Sequence, residues 1–288
     1  MSWLNEYKKS LKNLHAEEPL DVYFYRPLAF VIVKSLYSLP ITPNQYSLLA
    51  LLSGVASGYY FVKGDQVSLQ WGAFYFFLFA VLDCCDGMVA RLKKNGTELG
   101  RLIDGLVDYT VNAIVYITLA VGLKKQISTD LIHPWILIVG AGLSKALHSI
   151  CYDRYLNEYL AYEKGSDGFV AHELDLIKSK IDSAYKEGRW IRYWALKAYN
   201  GYTTLQAGKA QKELPFNPQE YCLKNLKALK MWSMIGPSVH ITFLVLALIS
   251  KMPNLLFVYA IILGNLWLVM MFIYQFKTNQ ELKVEKLA

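Results

Sequence analysis

The sequence predicts an all-α integral membrane protein, and three observations carry the prediction. Of 288 residues, 54% are hydrophobic and only 18% charged, which is too apolar for an ordinary soluble domain. Six segments of mostly apolar residues, 45–62, 69–91, 101–123, 131–152, 232–250 and 254–276, approach the roughly 20 residues that span a bilayer. Lysine and arginine gather on one set of the segments between them. The same composition excludes disorder, collagen and coiled-coil arrays.

Taken in order, residues 1–18 place Trp3, Leu4, Tyr7, Leu11 and Leu14 at helical spacing opposite lysines and a glutamate. This predicts an amphipathic helix lying on the membrane, and no cleavable signal. The apolar stretch 27–39 is too short to span and reads as an interfacial helix. Thr42 is placed to cap the first span and Pro43 to open it. Gly54 and Gly58 form a G-x-x-x-G pair, which permits close contact inside the bundle or between protomers, so a homodimer is one expectation. Residues 153–230 form a polar insertion between spans four and five, with helical periodicity over 171–199 and nine tyrosines from Tyr152 to Tyr221. It reads as an interfacial helical cap, or else as a linker or dimer contact. The expected division is 1–39 (juxtamembrane helices), 40–152 (four spans), 153–230 (insertion) and 231–288 (last two spans and tail).

Charge sets the expected orientation. One side holds Lys8, Lys9, Lys12, Arg26, Lys93, Lys94, thirteen cations from Arg154 to Lys230, and Lys277, Lys283 and Lys286. The other holds Lys63, Lys124, Lys125 and Lys251. Both termini, the 92–100 loop and the insertion are therefore expected to be cytoplasmic. The formal net charge of +7 then faces membrane lipid headgroups and not nucleic acid. Of the four cysteines, Cys84 and Cys85 are adjacent in an apolar run and read as packing residues, not a disulfide framework.

The chemistry is concentrated in spans two and three. Asp83, Asp86, Gly87 and Ala90 are spaced i, i+3, i+4, i+7 and share one helical face, and Gly100, Asp104 and Asp108 share a face on the next helix. A short loop between antiparallel helices brings the four carboxylates together. Each costs about 2.5–3.5 kcal/mol at a span centre, so compensation is required, and divalent cations supply it. Carboxylate oxygens suit Mg2+, Mn2+ or Ca2+, while the lack of a His/Cys cluster argues against zinc. Gly87, Ala90, Gly100 and Gly105 leave room for a flat base or a diphosphate to approach the backbone. Arg91 is placed to meet phosphate.

These residues spell D-x-x-D-G-x-x-A-R, eight residues, G-x-x-x-D-x-x-x-D, and the chain thereby resembles the CDP-alcohol phosphotransferases (CDP-alcohol phosphatidyltransferases), with no departure at Asp83, Asp86, Gly87, Ala90, Arg91, Gly100, Asp104 or Asp108. The resemblance extends to Thr42-Pro43-Asn44 before the first span and to six spans, but not to the insertion. It implies displacement of CMP from a CDP-linked alcohol by the hydroxyl of a second alcohol. Asp83, Asp86 and Asp104 would hold one or two Mg2+ or Mn2+ ions, with Asp108 completing the site and acting as base. Asn44, Asp86, Gly87, Ala90, Arg91 and Gly100 would line the CDP pocket.

Six spans resemble members that use a CDP-diacylglycerol donor with a polar acceptor more than those that pass a small CDP-alcohol, such as CDP-choline, to a lipid. In span four, Lys145 and His148, with Arg154 beyond, either form an anion pocket for a phosphorylated acceptor such as inositol phosphate or glycerol phosphate, or snorkel and bond within the bundle. His240, Ser238 and Asn265 are further polar residues in spans five and six. An ion-coupled transporter is the rival class, since intramembrane carboxylates also mark cation paths. It predicts broken helices in corresponding positions of two halves, whereas the carboxylates here cluster in one consecutive helix pair with no matching set in spans four to six.

Overall fold

The computed structural model describes residues 3–13, 16–124, 134–164, 169–207 and 216–287, and all regular structure among them is helical. The helices are α1 (Trp3–Ser10), α2 (Arg26–Ser35), α3 (Pro43–Lys63), α4 (Gln66–Leu92), α5 (Glu98–Leu123), α6 (Pro134–Lys164), α7 (Phe169–Lys186), α8 (Trp190–Ala207), α9 (Pro218–Trp232), α10 (Pro237–Ile249), α11 (Asn254–Phe257) and α12 (Gly264–Leu287). Wider π-helical turns lead into α2 (Asp21–Tyr25) and α12 (Val258–Leu263).

Among the described residues, five stretches are long and apolar enough to cross a membrane: Gln66–Leu92, Ile103–Leu123, Trp135–Glu163, Pro218–Ile249 and Asn254–Leu282. They match the second to sixth expected spans, apart from 131–133, which lie outside the described residues. The helix expected as the first span, α3, is not among the five. Ser47, Ser53, Ser57, Gly54 and Gly58 dilute its apolarity, and all five are buried against neighbouring helices.

The chain divides into two compact units. The first comprises Met1–Ala146 and Gly236–Leu266. Lipid is as apolar as a leucine side chain, so helices in it associate through close packing and interhelical hydrogen bonds. Both devices join α3 to its neighbours. A Cβ on Gly54 would lie 2.4 Å from Val111 Cγ1, and one on Gly58 2.5 Å from Ile114 Cγ2, so the G-x-x-x-G pair is used inside the bundle against α5. At the end of α3, Gly64 takes φ +74°, and a Cβ on Gly122 would fall 1.9 Å from the Phe61 carbonyl. Ser57 Oγ donates to the Gly72 carbonyl of α4 (2.8 Å). Phe61, Phe76, Phe79, Val111, Leu119, Leu244 and Leu248 fill the core between them.

The N-terminal segment packs onto this bundle by its aromatic face, with Trp3 and Tyr7 edge-on to Phe30 at 4.8 and 5.4 Å. Helix α1 is shorter than the apolar periodicity of 1–18. Beyond Ser10 the Glu17 carboxylate accepts the N–H groups of Lys12 and Asn13 and pairs with Arg26, which holds the chain in a turn. Residues 1, 2, 14 and 15 lie outside the described residues.

The second unit comprises Leu147–Ile235 and Trp267–Ala288. Tyr155 stacks on Trp232 at 4.4 Å, and Tyr162 stacks on Tyr221 at 3.7 Å. Trp232 Nε1 donates to Gln275 Oε1 (3.1 Å), whose Nε2 donates to Asn225 Oδ1 (2.6 Å), so these three buried polar side chains satisfy one another. The period read over 171–199 is split between α7 and α8 at Gly188, where φ is +67°.

Candidate metal centre and active site

The Lys93–Thr97 connection between α4 and α5 is fixed at both ends. Thr97 Oγ1 accepts the Gly100 N–H (2.9 Å), which starts α5, and Lys93 Nζ donates to the carbonyls of Leu39 (2.9 Å) and Ile41 (3.1 Å). The acidic faces of α4 and α5 therefore meet. Asp83, Asp86 and Asp104 each offer a carboxylate oxygen within 4.8 Å of the others. Asp86 is buried and the other two are half-buried. Buried carboxylates this close repel one another unless a proton or a cation sits among them. Asp83 Oδ1 is buried without a hydrogen-bond partner, which is the condition of a donor atom held ready for a ligand. An all-oxygen set of this kind fits a hard divalent cation.

Asp108 lies one turn beyond Asp104 and lines the same cavity, of about 680 Å3. It stands outside the three-oxygen cluster. Asn112, the next residue along this face, donates from Nδ2 to the Asp108 carbonyl (2.8 Å) and accepts from Lys145 Nζ. The buried ammonium of Lys145 is thus held on the acidic side of the cavity, close to Asp108. His148 and Arg154 belong to the second unit. His148 is fully buried and Arg154 lies against the Tyr155 ring.

Among the expected CDP-pocket residues, Asp86, Gly87, Ala90 and Arg91 line the cavity. Asn44 and Gly100 are neighbours of each other: a Cβ on Gly100 would lie 3.2 Å from Asn44 Oδ1 and 3.1 Å from Thr97 Oγ1, and Thr97 lines the cavity. Arg91 folds back over Gly87, and its Nε donates to the Ser10 carbonyl. Gly105 has open space where a side chain would stand. Cys84 and Cys85 are free thiols, and buried Cys85 bonds the Val81 carbonyl of its own helix (3.2 Å).

Two groups of residues escaped the motif. Ser47, on α3, donates its hydroxyl to Asp86 Oδ2 (2.6 Å). Its signal was a serine in an apolar helix, indistinguishable from the packing serines beside it. Lys12, Glu18, Asp21 and Arg26 form a charged wall contributed by the N-terminal segment. Glu18 accepts the Ser238 N–H at the start of α10 (3.2 Å), a favourable place for an anion, and Ser238 Oγ donates to Asp21 (2.5 Å). Charges alternating with an apolar face had marked this segment only as a membrane-surface element. Buried His240 lies against the Tyr259 ring (5.0 Å), and Asn265 donates to Ser144 Oγ (2.9 Å).

Residues 40–155 match the family model for CDP-alcohol phosphatidyltransferase. Over 103 residues, 36% of this chain, the sequence is 31% identical to a protein named phosphatidylinositol phosphate synthase from Corynebacterium glutamicum. Over 95 residues, 32% of this chain, it is 32% identical to one named archaetidylinositol phosphate synthase from Pyrococcus horikoshii. The chain spans about half the length of these relatives, 44% and 47% respectively. The match runs from the residues before α3 into α6 and so contains all four aspartates. Divalent-metal dependence is general in this family, in keeping with the carboxylate cluster. Over residues 40–155 the chain is therefore similar to the CDP-alcohol phosphatidyltransferase family.

Proposed function

We propose that the protein is a phospholipid-synthesis enzyme that transfers a phosphatidyl group from CDP-diacylglycerol to a hydroxyl of a phosphorylated polyol, inositol phosphate first among them, and releases CMP. The observation that carries the reading is the carboxylate triad of Asp83, Asp86 and Asp104, with the unpartnered Asp83 Oδ1, on a cavity that also holds Lys145. The two relatives favour the acceptor. Their names differ in the lipid and share inositol phosphate.

Asp83, Asp86 and Asp104 would hold Mg2+ or Mn2+, most simply a pair of ions, with Asp108 completing the set. A divalent ion held by these carboxylates would supply positive charge against that developing on the leaving CMP. Asp108 takes the proton of the acceptor hydroxyl, whose oxygen forms a bond to the lipid-bearing phosphorus as the bond to CMP breaks. Gly87 and Ala90 leave the backbone open to the cytidine diphosphate, with Asn44 and Gly100 beside Thr97 at the same end of α5. The Arg91 amino groups meet phosphate while Nε keeps the N-terminal segment in place. Lys145 binds the acceptor phosphate and is oriented by Asn112. Catalysis is then largely positioning and electrostatics.

Six crossings follow if α3 spans, since its outward face carries exposed Leu48, Leu52, Val55 and Tyr59 suited to lipid. The basic segments then place both termini, the α4–α5 loop and the 153–230 insertion in the cytoplasm, with the site at that face. The division into 1–39, 40–152, 153–230 and 231–288 is kept as the functional one. A homodimer would use a surface other than the Gly54–Gly58 face.

The test is CMP release by purified protein in detergent with Mg2+ or Mn2+ and CDP-diacylglycerol, across inositol phosphate, glycerol phosphate, inositol and serine, with Asp104→Ala as control. Release with inositol phosphate that is lost in the variant supports the proposal. Turnover only with CDP-choline or CDP-ethanolamine and a lipid alcohol reverses the donor. No CMP release from any pair, with cation flux into proteoliposomes, moves the protein to the transporter class.

A further inference from the structure

At the reversal between α7 and α8, aromatic rings collect on the outside of the second unit. Arg189 N–H donates to the Ala184 carbonyl (3.0 Å) and Gly188 N–H to that of Tyr185 (3.1 Å), the pair of bonds that closes a helix on a left-handed glycine. The reversal sets Tyr185 5.7 Å from Trp190 and 5.6 Å from Tyr193, and Tyr193 5.3 Å from Trp194. Ile177, Ala184 and Leu196 fill the buried side of the hairpin. Tyr185, Trp190 and Trp194 do not. They are 58%, 57% and 60% exposed.

The charge beside these rings says what covers them. Between 185 and 197, Lys186, Arg189, Arg192 and Lys197 stand against one acid, Glu187. The Lys197 ammonium lies over the rings of both Tyr193 (5.5 Å) and Trp194 (5.1 Å). Protein interfaces gather Trp and Tyr but are depleted of Lys. Rings at the surface with cations whose stems run along them suit the headgroup layer of a bilayer, where amphipathic rings settle and lysine and arginine reach lipid phosphate. The bilayer is also the surface nearest to hand. Helix α7 begins at Phe169, five positions after the end of α6, which contains the candidate span Trp135–Glu163, so the hairpin meets it at high effective concentration.

We propose that the α7–α8 hairpin is an interfacial anchor that seats Tyr185, Trp190 and Trp194 in the headgroup layer of an anionic bilayer, with Lys186, Arg189, Arg192 and Lys197 on lipid phosphates. It does not rest on the reaction proposed above. Its role is to bind membrane of one charge.

The test uses the full chain in nanodiscs of phosphatidylcholine alone or mixed equally with phosphatidylglycerol, with trypsin cleavage at Lys186, Arg189 and Arg192 followed by mass spectrometry. Cleavage should fall roughly tenfold in the anionic discs and return in about 0.5 M NaCl, where charge is screened over a few ångströms. Arg189→Glu/Arg192→Glu, which keeps only the Lys186 site of the three, should be cut there equally in both discs. If that variant does not fold, the salt dependence of the wild type decides alone. Brominated lipids should quench wild-type tryptophan emission more than that of Trp190→Phe/Trp194→Phe. Equal cleavage in both discs, or identical quenching, overturns the proposal. Protection that follows the number of copies per disc, whatever the lipid charge, overturns it in favour of a second copy of the chain.

Discussion

Ser47 Oγ donates a hydrogen bond to Asp86 Oδ2 across 2.6 Å, so a side chain of α3 fixes a carboxylate of α4 at the point where α4 and α5 share their acidic faces. Both residues are buried. A carboxylate that is to hold a metal needs its free oxygen aimed, and loss of such a supporting bond costs about 10–100-fold in metal affinity. Ser47→Ala should raise the Mn2+ concentration for half-maximal CMP release by that factor, while Ser47→Thr, which keeps the hydroxyl, should restore most of it. Binding of Mn2+ measured from the free-ion magnetic resonance signal should move in parallel. Unchanged Mn2+ affinity in Ser47→Ala would remove Ser47 from this role.

Asp108 lies beside Asp83 but outside the set of three mutually close oxygens, and one turn further along its helix Asn112 holds the Lys145 ammonium. A group in this position acts on the acceptor more than on the metal. Asp108→Asn should therefore bind CDP-diacylglycerol within a few-fold of wild type, while turnover falls by roughly 100-fold or more, the scale of a lost general base. Donor binding measured by calorimetry and CMP release measured in parallel separate the two effects. Equal loss of both would make Asp108 a metal ligand and not a base.

Asp21 ties the N-terminal segment to α10 through Ser238, and burial pushes its carboxyl above the ordinary value, against the pull of Ser238 and Arg26 in the other direction; nearby Glu17 adds to the rise. An acid raised in the folded state binds more protons folded than unfolded between the two values. Stability therefore falls as pH rises through that window. Asp21→Asn keeps an acceptor for Ser238 Oγ and carries no charge. Its melting temperature in detergent should equal or exceed that of the wild type near neutral pH, with the gap closing below the ordinary carboxylate range. Parallel melting curves across pH would refute a buried charge at Asp21.

What was legible in the sequence was whatever depends on spacing along one helix. Asp83 and Asp86, or Asp104 and Asp108, face one way because of helical period alone, and the short loop made the two sets meet. Contacts across helices were not legible. Ser47 looks like Ser53 or Ser57 until α4 is placed beside it. The G-x-x-x-G pair read equally well as a dimer face until Val111 and Ile114 filled it. In the insertion the period of 3.6 runs on through Gly188, although a glycine between Glu187 and Arg189 is an ordinary helix stop. The wall formed by Glu18, Asp21 and Arg26 depends on where α10 begins, more than 200 positions later in the chain, and no local pattern reports that.

The close approach of α3 and α5 gives the last prediction. A Cβ on Gly122 would stand 1.9 Å from the Phe61 carbonyl oxygen and 3.1 Å from Gly64 Cα. These are backbone atoms at the end of a capped helix, so no rotamer change relieves the clash, and α3 must shift relative to α5. Overpacking of this kind costs about 1–3 kcal/mol. Because α3 carries Ser47, the shift should also loosen Asp86. Gly122→Ala should therefore melt several degrees lower and need more Mn2+ for activity, although Gly122 lies about five helical turns from Asp104. Gly201, on an exposed helical position with nothing within 4 Å of its Cβ site, supplies the opposite sign. There alanine removes the entropy cost of a helical glycine, about 0.5–1 kcal/mol, and Gly201→Ala should melt no lower than wild type with its Mn2+ requirement unchanged. Thermal melts of both variants in detergent decide the matter, since equal shifts in both would mean that the Gly122 contact does not hold α3 against α5.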